Sequence, residues 1–173
     1  RASRGANVLG TLFRSALREI EATDGDAAVQ ALLSELRTLR QEAAELRRAG
    51  DRDGALARME AARLLVATTI VRELGTEPIG RLLDAVDGKL AAVDARIEAL
   101  RESGRDVTRL EQRRALVADL VAEARAQDLG SESQAARALL LAARAHAMLS
   151  FDKRQGRRGG DGGRAVGWDG RRR

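Results

Sequence analysis

Cysteine is absent from the 173-residue chain, which excludes disulfides, thiolate metal sites and a thiol nucleophile. Aromatic side chains are only 2% of the residues, namely Phe13, Phe151 and Trp168. Pro78 is the one proline, so the chain has few obligatory helix breaks. The longest apolar-rich stretch, residues 64–71, contains two threonines and is far shorter than a membrane span. A core must therefore be built from aliphatic residues.

Apolar residues make up 44% of the chain and charged residues 33%, a mixture typical of globular proteins. The apolar residues are chiefly leucine and alanine, which are strong helix formers. The length favours one domain. Composition therefore predicts a single all-α domain.

Positive charge is concentrated at one end of the chain. The net charge is +5, yet residues 1–151 hold 23 basic and 23 acidic residues. Residues 152–173 hold eight basic residues, three acids and seven glycines. We therefore predict two parts: a helical-hairpin domain over 1–151 and a flexible, disordered Gly- and Arg-rich tail over 152–173.

Hydrophobic periodicity predicts about six antiparallel amphipathic helices in successive hairpins, forming a helical bundle or a short solenoid. Short turns separate the helices, and such turns favour antiparallel neighbours. The expected helices span residues 6–22, 26–49, 52–74, 77–103, 108–128 and 131–151.

Two of these helices carry apolar residues at spacings of 3-4-3-4-3, the pattern of a packing seam. The second helix has Val29, Leu32, Leu36, Leu39, Ala43 and Leu46, and the fourth has Leu83, Val86, Leu90, Val93, Ile97 and Leu100. Because the fourth seam keeps its phase across Gly88, we expect one long helix there. The expected buried side of the third helix comprises Leu56, Met59, Ala62, Val66, Ile70 and Leu74.

Polar residues that precede these helices indicate N-caps. We expect single caps for the second, third and fourth helices and capping boxes for the last two. The residues concerned are Asp24 or Asp26, then Asp51, Thr76, Thr108 with Glu111, and Ser131 with Gln134.

Two helix junctions resemble each other. AGDRDGALARMEAARLL begins at Ala49, and LGSESQAARALLLAARA begins at Leu129. In each, a glycine is followed by small, large and small apolar residues: Ala55, Met59 and Ala62, then Ala135, Leu139 and Ala142. This spacing resembles the second helix of a tetratricopeptide-type hairpin. The resemblance implies a surface that binds a peptide or a partner helix, although the copies lie 80 residues apart.

Residues that could perform catalysis are few. His146 is the only histidine, no Gly-x-Ser-x-Gly elbow is present, and Ala143 stands where a helical di-iron site would place Glu. Asp51 and Asp53 precede Gly54, which comes too early for a calcium loop. We therefore expect a protein that is not an enzyme and has no cofactor, catalytic residue or metal site.

The tail is the part of the sequence best suited to an anionic partner. Arginines on a glycine-rich chain can reach phosphates, and one tryptophan can stack on a base. Asp161 and Asp169 interrupt the basic residues, so a merely solubilising tail stays an alternative. The candidate partner-binding residues are Arg154, Arg157, Arg158, Arg164, Trp168, Arg171, Arg172 and Arg173.

These patterns give two main functional hypotheses. The first is a non-enzymatic scaffold or protein-interaction module, working as part of an assembly or by self-association through helix faces. The alternative is an accessory nucleic-acid-binding protein that acts through its tail. The first 18 residues carry four arginines and no acid. They could be a targeting peptide or a membrane-surface helix, but an ordinary first helix is the simpler interpretation.

Overall fold

The structure, a computed structural model, describes residues 8–150, which form six α-helices joined by short turns. It is all-α, as the sequence predicts, and most helix ends lie within two residues of the predicted ones. The predictions for residues 1–7 and 151–173 lie outside the described residues. The helices are α1 (Val8–Asp24), α2 (Asp26–Arg48), α3 (Arg52–Leu74), α4 (Glu77–Glu102), α5 (Thr108–Arg125) and α6 (Glu132–Ser150).

Four turns depend on glycine. Gly25, Gly50, Gly75 and Gly104 have φ between 69° and 84°, in the region that other residues rarely adopt. Each stands directly after a helix or within two residues of its end, so the chain changes direction in a turn of one to five residues. Pro78 lies in the first turn of α4, where its missing N–H has no helical partner to lose.

Only one of the predicted caps forms as expected. The Asp51 carboxylate accepts a hydrogen bond from the Gly54 backbone N–H at 2.8 Å. Gly25 rather than an aspartate occupies the cap of α2, and the Thr76 side chain makes no capping hydrogen bond.

Both predicted capping boxes are wrong. Val107 is the N-cap of α5, and the Thr108 N–H is bound instead by the Asp106 carboxylate at 2.9 Å. Glu111, predicted to complete that box, binds Arg101. The Gln134 side chain accepts from the Asp128 backbone N–H rather than returning to Ser131. In both cases the groups that would form the capping box make hydrogen bonds with other neighbouring residues instead.

Helix α6 is the centre of the fold. It packs against α3, α4 and α5, whereas α1 and α2 pack against each other and against α3. At one end, Arg72 of α3 binds Glu132 of α6 at 2.9 Å, and this hydrogen bond lowers the pKa of Glu132. Consecutive helices pair as hairpins except at one junction: α3 and α4 are separated by only two residues, yet both pack on α6 rather than on each other.

Alanine allows this central position. The buried residues of α6 cover about half of its circumference, and six of the seven buried side chains are alanine. Small side chains let the surrounding helices approach closely, and the larger Leu139 fills the remaining space with no exposed surface. The buried residues of α6 are Ala135, Ala136, Ala138, Leu139, Ala142, Ala143 and Ala145.

The predicted seams of α2 and α4 are confirmed, because every residue of both is buried or half-buried. Helix α4 also runs unbroken through Gly88. The predicted buried side of α3 is only partly correct. Val66, Ile70 and Leu74 face the core, but Leu56 is 63% exposed and Met59 is 42% exposed.

The two repeated junctions give a matched test of this arrangement. We expect Leu139→Ala to lower the free energy of unfolding by about 2–5 kcal/mol, since it leaves a cavity in a closed core. Met59→Ala at the equivalent position should cost about 0.5 kcal/mol or less, because the side chain stays in contact with water. Urea denaturation followed by circular dichroism measures both, and similar losses would contradict the structure.

Candidate protein-binding face on the α2–α3 arm

The turn between α2 and α3 joins two half-helices that lie outside the main core. The core cluster of the described chain contains no residue of α2 and, within α3, begins at Val66. We call residues 37–64 the arm. Within its α3 half, only Ala55 and Ala62 are buried. The arm is therefore a two-helix hairpin that is stabilised mainly by its own seam.

That seam is narrow and close-packed. Ala55 and Ala62 lie one heptad apart, on the side of α3 that also carries Arg58. Arg58 binds Glu42 of α2 at 2.9 Å across the seam. Ala43 is the buried residue that α2 contributes within the arm, and Leu36, also buried, directly precedes the arm. Alanine on both helices brings their backbones close together, but it buries little apolar area, so most of the arm surface meets water.

An apolar stripe runs along the exposed side of α3 in the arm. Leu56 and Met59 are three residues apart and therefore adjacent on the helix surface. Farther along the helix the same stripe continues as Val66 and Ile70, which pack in the core. Leu64, 42% exposed, follows Glu60 by four residues and lies outside this stripe. The core-facing side of α3 thus extends into the arm, where none of the six described helices covers it.

The second copy of the repeated junction, in α6, shows how the same apolar pattern is covered when other helices pack on it. Met59 and Leu139 occupy the same place between two buried alanines. Leu139 is fully buried because α3, α4 and α5 all pack on α6. The arm half of α3 has α2 beside its alanines, and no helix within residues 8–150 lies over Met59, which is 42% exposed. All three apolar residues of the pattern are therefore buried in α6, whereas in α3 the two alanines are buried and Met59 is exposed.

Arginine stands at both ends of the exposed stripe. Arg52 precedes Leu56 by four residues and Arg63 follows Met59 by four, so all four side chains share one line at spacings of 4-3-4. Both arginines are exposed, and neither makes an ion pair or side-chain hydrogen bond within the described chain. Two acids, Asp53 and Glu60, form the edge of the stripe away from α2.

Because the apolar spacing is continuous from Leu56 to Leu74, the sequence predicts that the whole stripe is buried in the core. A signal for the actual seam was present in the heptad spacing of Ala55, Ala62 and Thr69, all of which are buried. The sequence does not show that the core ends near Val66, because that limit depends on where α6 lies.

The only histidine belongs to a polar cluster at the other end of α6. Lys89 Nζ of α4 lies 2.7 Å from His146 Nε2 and donates to Ser150 Oγ at 2.8 Å. Arg113 of α5 donates nearby to the Met148 carbonyl oxygen. Burial lowers the pKa of His146, and the positive charge of Lys89 lowers it further. Neutral His146 thus accepts from the lysine and helps to hold α6 against α4.

The tail residues proposed as a partner-binding site lie outside the described residues, from Arg154 to Arg173. Within residues 8–150, no cluster of histidine and acidic residues is arranged to hold a metal ion. None of the helices in the same range is long and apolar enough to cross a membrane.

Among known protein families, curated proteins and solved structures, none matches this chain.

The histidine cluster predicts a pH-dependent stability. Because folding lowers the pKa of His146, the unfolded chain takes up a proton at a higher pH than the folded chain. The free energy of unfolding should therefore fall as the pH drops below the ordinary histidine pKa of about 6.5. Asp94 and Glu132, whose pKa values are also lowered, titrate at more acidic pH.

Urea denaturation between about pH 7.5 and pH 5.5 measures this loss. In the His146→Gln variant the side-chain amide oxygen can still accept from Lys89, but the residue does not titrate. We expect its stability to change much less over the same range. An equal decrease in both proteins would show that other groups cause it.

Proposed function

We propose that this protein is a non-enzymatic helical scaffold that binds another protein through the exposed face of its α2–α3 arm. The observation that carries the proposal is the stripe of Leu56 and Met59, which continues the core-facing side of α3 onto the surface. Binding surfaces commonly combine exposed apolar side chains with a polar rim. The stripe has such a rim in Arg52, Arg63 and the adjacent acids.

The shape of the arm also favours this function. A two-helix hairpin offers a long side on which a third helix can lie, and a third helix would bury the stripe as α6 is buried elsewhere in the fold. The face is built on regular helix rather than on a loop. Its side chains are therefore positioned before a partner arrives, which lowers the entropic cost of binding.

The packing of α1 favours a protein partner rather than a membrane surface as the ligand of this protein. A membrane-bound amphipathic helix needs its apolar side free. In α1 that side is used inside the fold: Ala16 and Ile20 are buried, and Leu12 and Phe13 pack against the core. Binding a bilayer through α1 would require the helix to leave the core.

Site-specific photo-crosslinking tests the proposal. A benzophenone amino acid replaces Leu56 in one variant and Leu116 in another. Leu116 is a matched control because it is 57% exposed but lies on α5, away from the arm. In an extract of the source cells, we expect discrete crosslinked proteins from position 56 and not from position 116.

The same products should disappear when Met59→Glu is added to the position-56 variant, and they should persist when residues 152–173 are deleted. Identical products from both positions would indicate nonspecific contact. Products that require the tail would favour the nucleic-acid-binding alternative. Either result would contradict the proposed function.

A further inference from the structure

We propose that the partner of the arm is an amphipathic helix from a different protein that carries one acidic residue at each end of its apolar contact. This inference rests on the proposed function and adds the chemistry of the partner. It follows from the order of side chains along the exposed stripe, Arg52, Leu56, Met59 and Arg63.

Spacing fixes the pattern that the partner needs. Arg52 and Arg63 are 11 residues apart, or about 16 Å along a helix. A helix that packs along the stripe places residues of its own at matching intervals. It therefore requires two apolar residues three apart, with Asp or Glu four residues before the first and four after the second. This 4-3-4 pattern reads the same in either direction, so it fits a parallel or an antiparallel partner.

The two arginines at the ends of the stripe make no ion pair within the described chain. Arg58, on the neighbouring side of α3, is already bound to Glu42, whereas Arg52 and Arg63 have no such partner. Acidic groups opposite these two arginines would gain favourable contacts at the ends of the apolar patch. Asp53 and Glu60 on the outer edge add a preference for basic residues along one side of the partner helix.

A second copy of this chain does not fit the face well. If two arms met antiparallel around a two-fold axis, Leu56 would face Met59 of the other copy, and Arg52 would face Arg63. Like charges in register disfavour that complex. None of the six helices carries two acids around two large apolar residues at the required spacing. We therefore assign the acidic helix to another protein.

Selection from a displayed helical-peptide library tests the inference. The library keeps a helical framework, fixes two leucines three residues apart, and randomises the two flanking positions among Glu, Lys and Gln. The full-length protein is the bait, and the Leu56→Gln/Met59→Gln variant removes background binders. We expect enrichment of Glu at both flanking positions, with about tenfold tighter binding than the Lys version.

The charge-reversed bait Arg52→Glu/Arg63→Glu should select Lys instead. Arg96→Glu/Arg109→Glu is the matched control, since both arginines are exposed and lie on α4 and α5. This control should leave the preference for Glu unchanged. Circular dichroism should show that all the variants keep the helix content of the original protein.

The outcomes separate the two proposals. Peptides that bind through Leu56 and Met59 without any charge preference would overturn the acidic partner and leave the protein-binding arm in place. If no peptide is enriched over the background variant, both proposals fail. A concentration-dependent dimer in light scattering that Met59→Glu abolishes would identify a second copy as the occupant, and would also overturn the acidic partner.

Discussion

Close packing around the alanine-rich helix α6 is the constraint on which the rest of the fold depends. Three helices contact α6, and its small side chains let them approach. The chain supplies too few aromatic residues to fill wide gaps, so the core must be narrow. Helices α3 and α4, which a two-residue link joins, also depend on α6, because both pack on it rather than on each other.

The arm forms because helices α2 and α3 extend beyond that core. Helices α2 and α3 have 23 residues each, whereas α6 has 19, and the core cluster reaches only the second half of α3. Beyond it, α2 and α3 support each other through buried alanines and one ion pair across the seam. A seam of this kind holds two helices together, but within the described part of the chain it leaves the outer side of α3 uncovered. The proposed binding face is that uncovered side.

Much of the fold could be predicted from sequence, because helix periodicity and turn glycines are local signals. The ends of α2, α3 and α4 were placed to within one residue by Gly50, Gly75 and the apolar seams. The caps were less predictable. Thr108 and Ser131 had the right spacing for capping boxes, but nearby aspartates and other partners bound the relevant groups. Choosing between such partners needs three-dimensional positions.

The exposure of the proposed binding face could not be predicted from the sequence either. Leu56 and Met59 have the spacing of core residues, and nothing local distinguishes them from Val66 and Ile70. Their exposure depends on which helices reach that part of α3, which is a property of the tertiary arrangement. The internal repeat gave the useful comparison, because the same pattern is buried at Leu139 and exposed at Met59.

Native-state hydrogen exchange tests the central claim most directly, namely that the arm lies outside the cooperative core. We expect the backbone amides of residues 55–63 to exchange through local openings of lower free energy than the amides of residues 135–145 in α6. The difference should appear in the free protein at neutral pH. Equal protection of the two segments, at the free energy of global unfolding, would contradict the account.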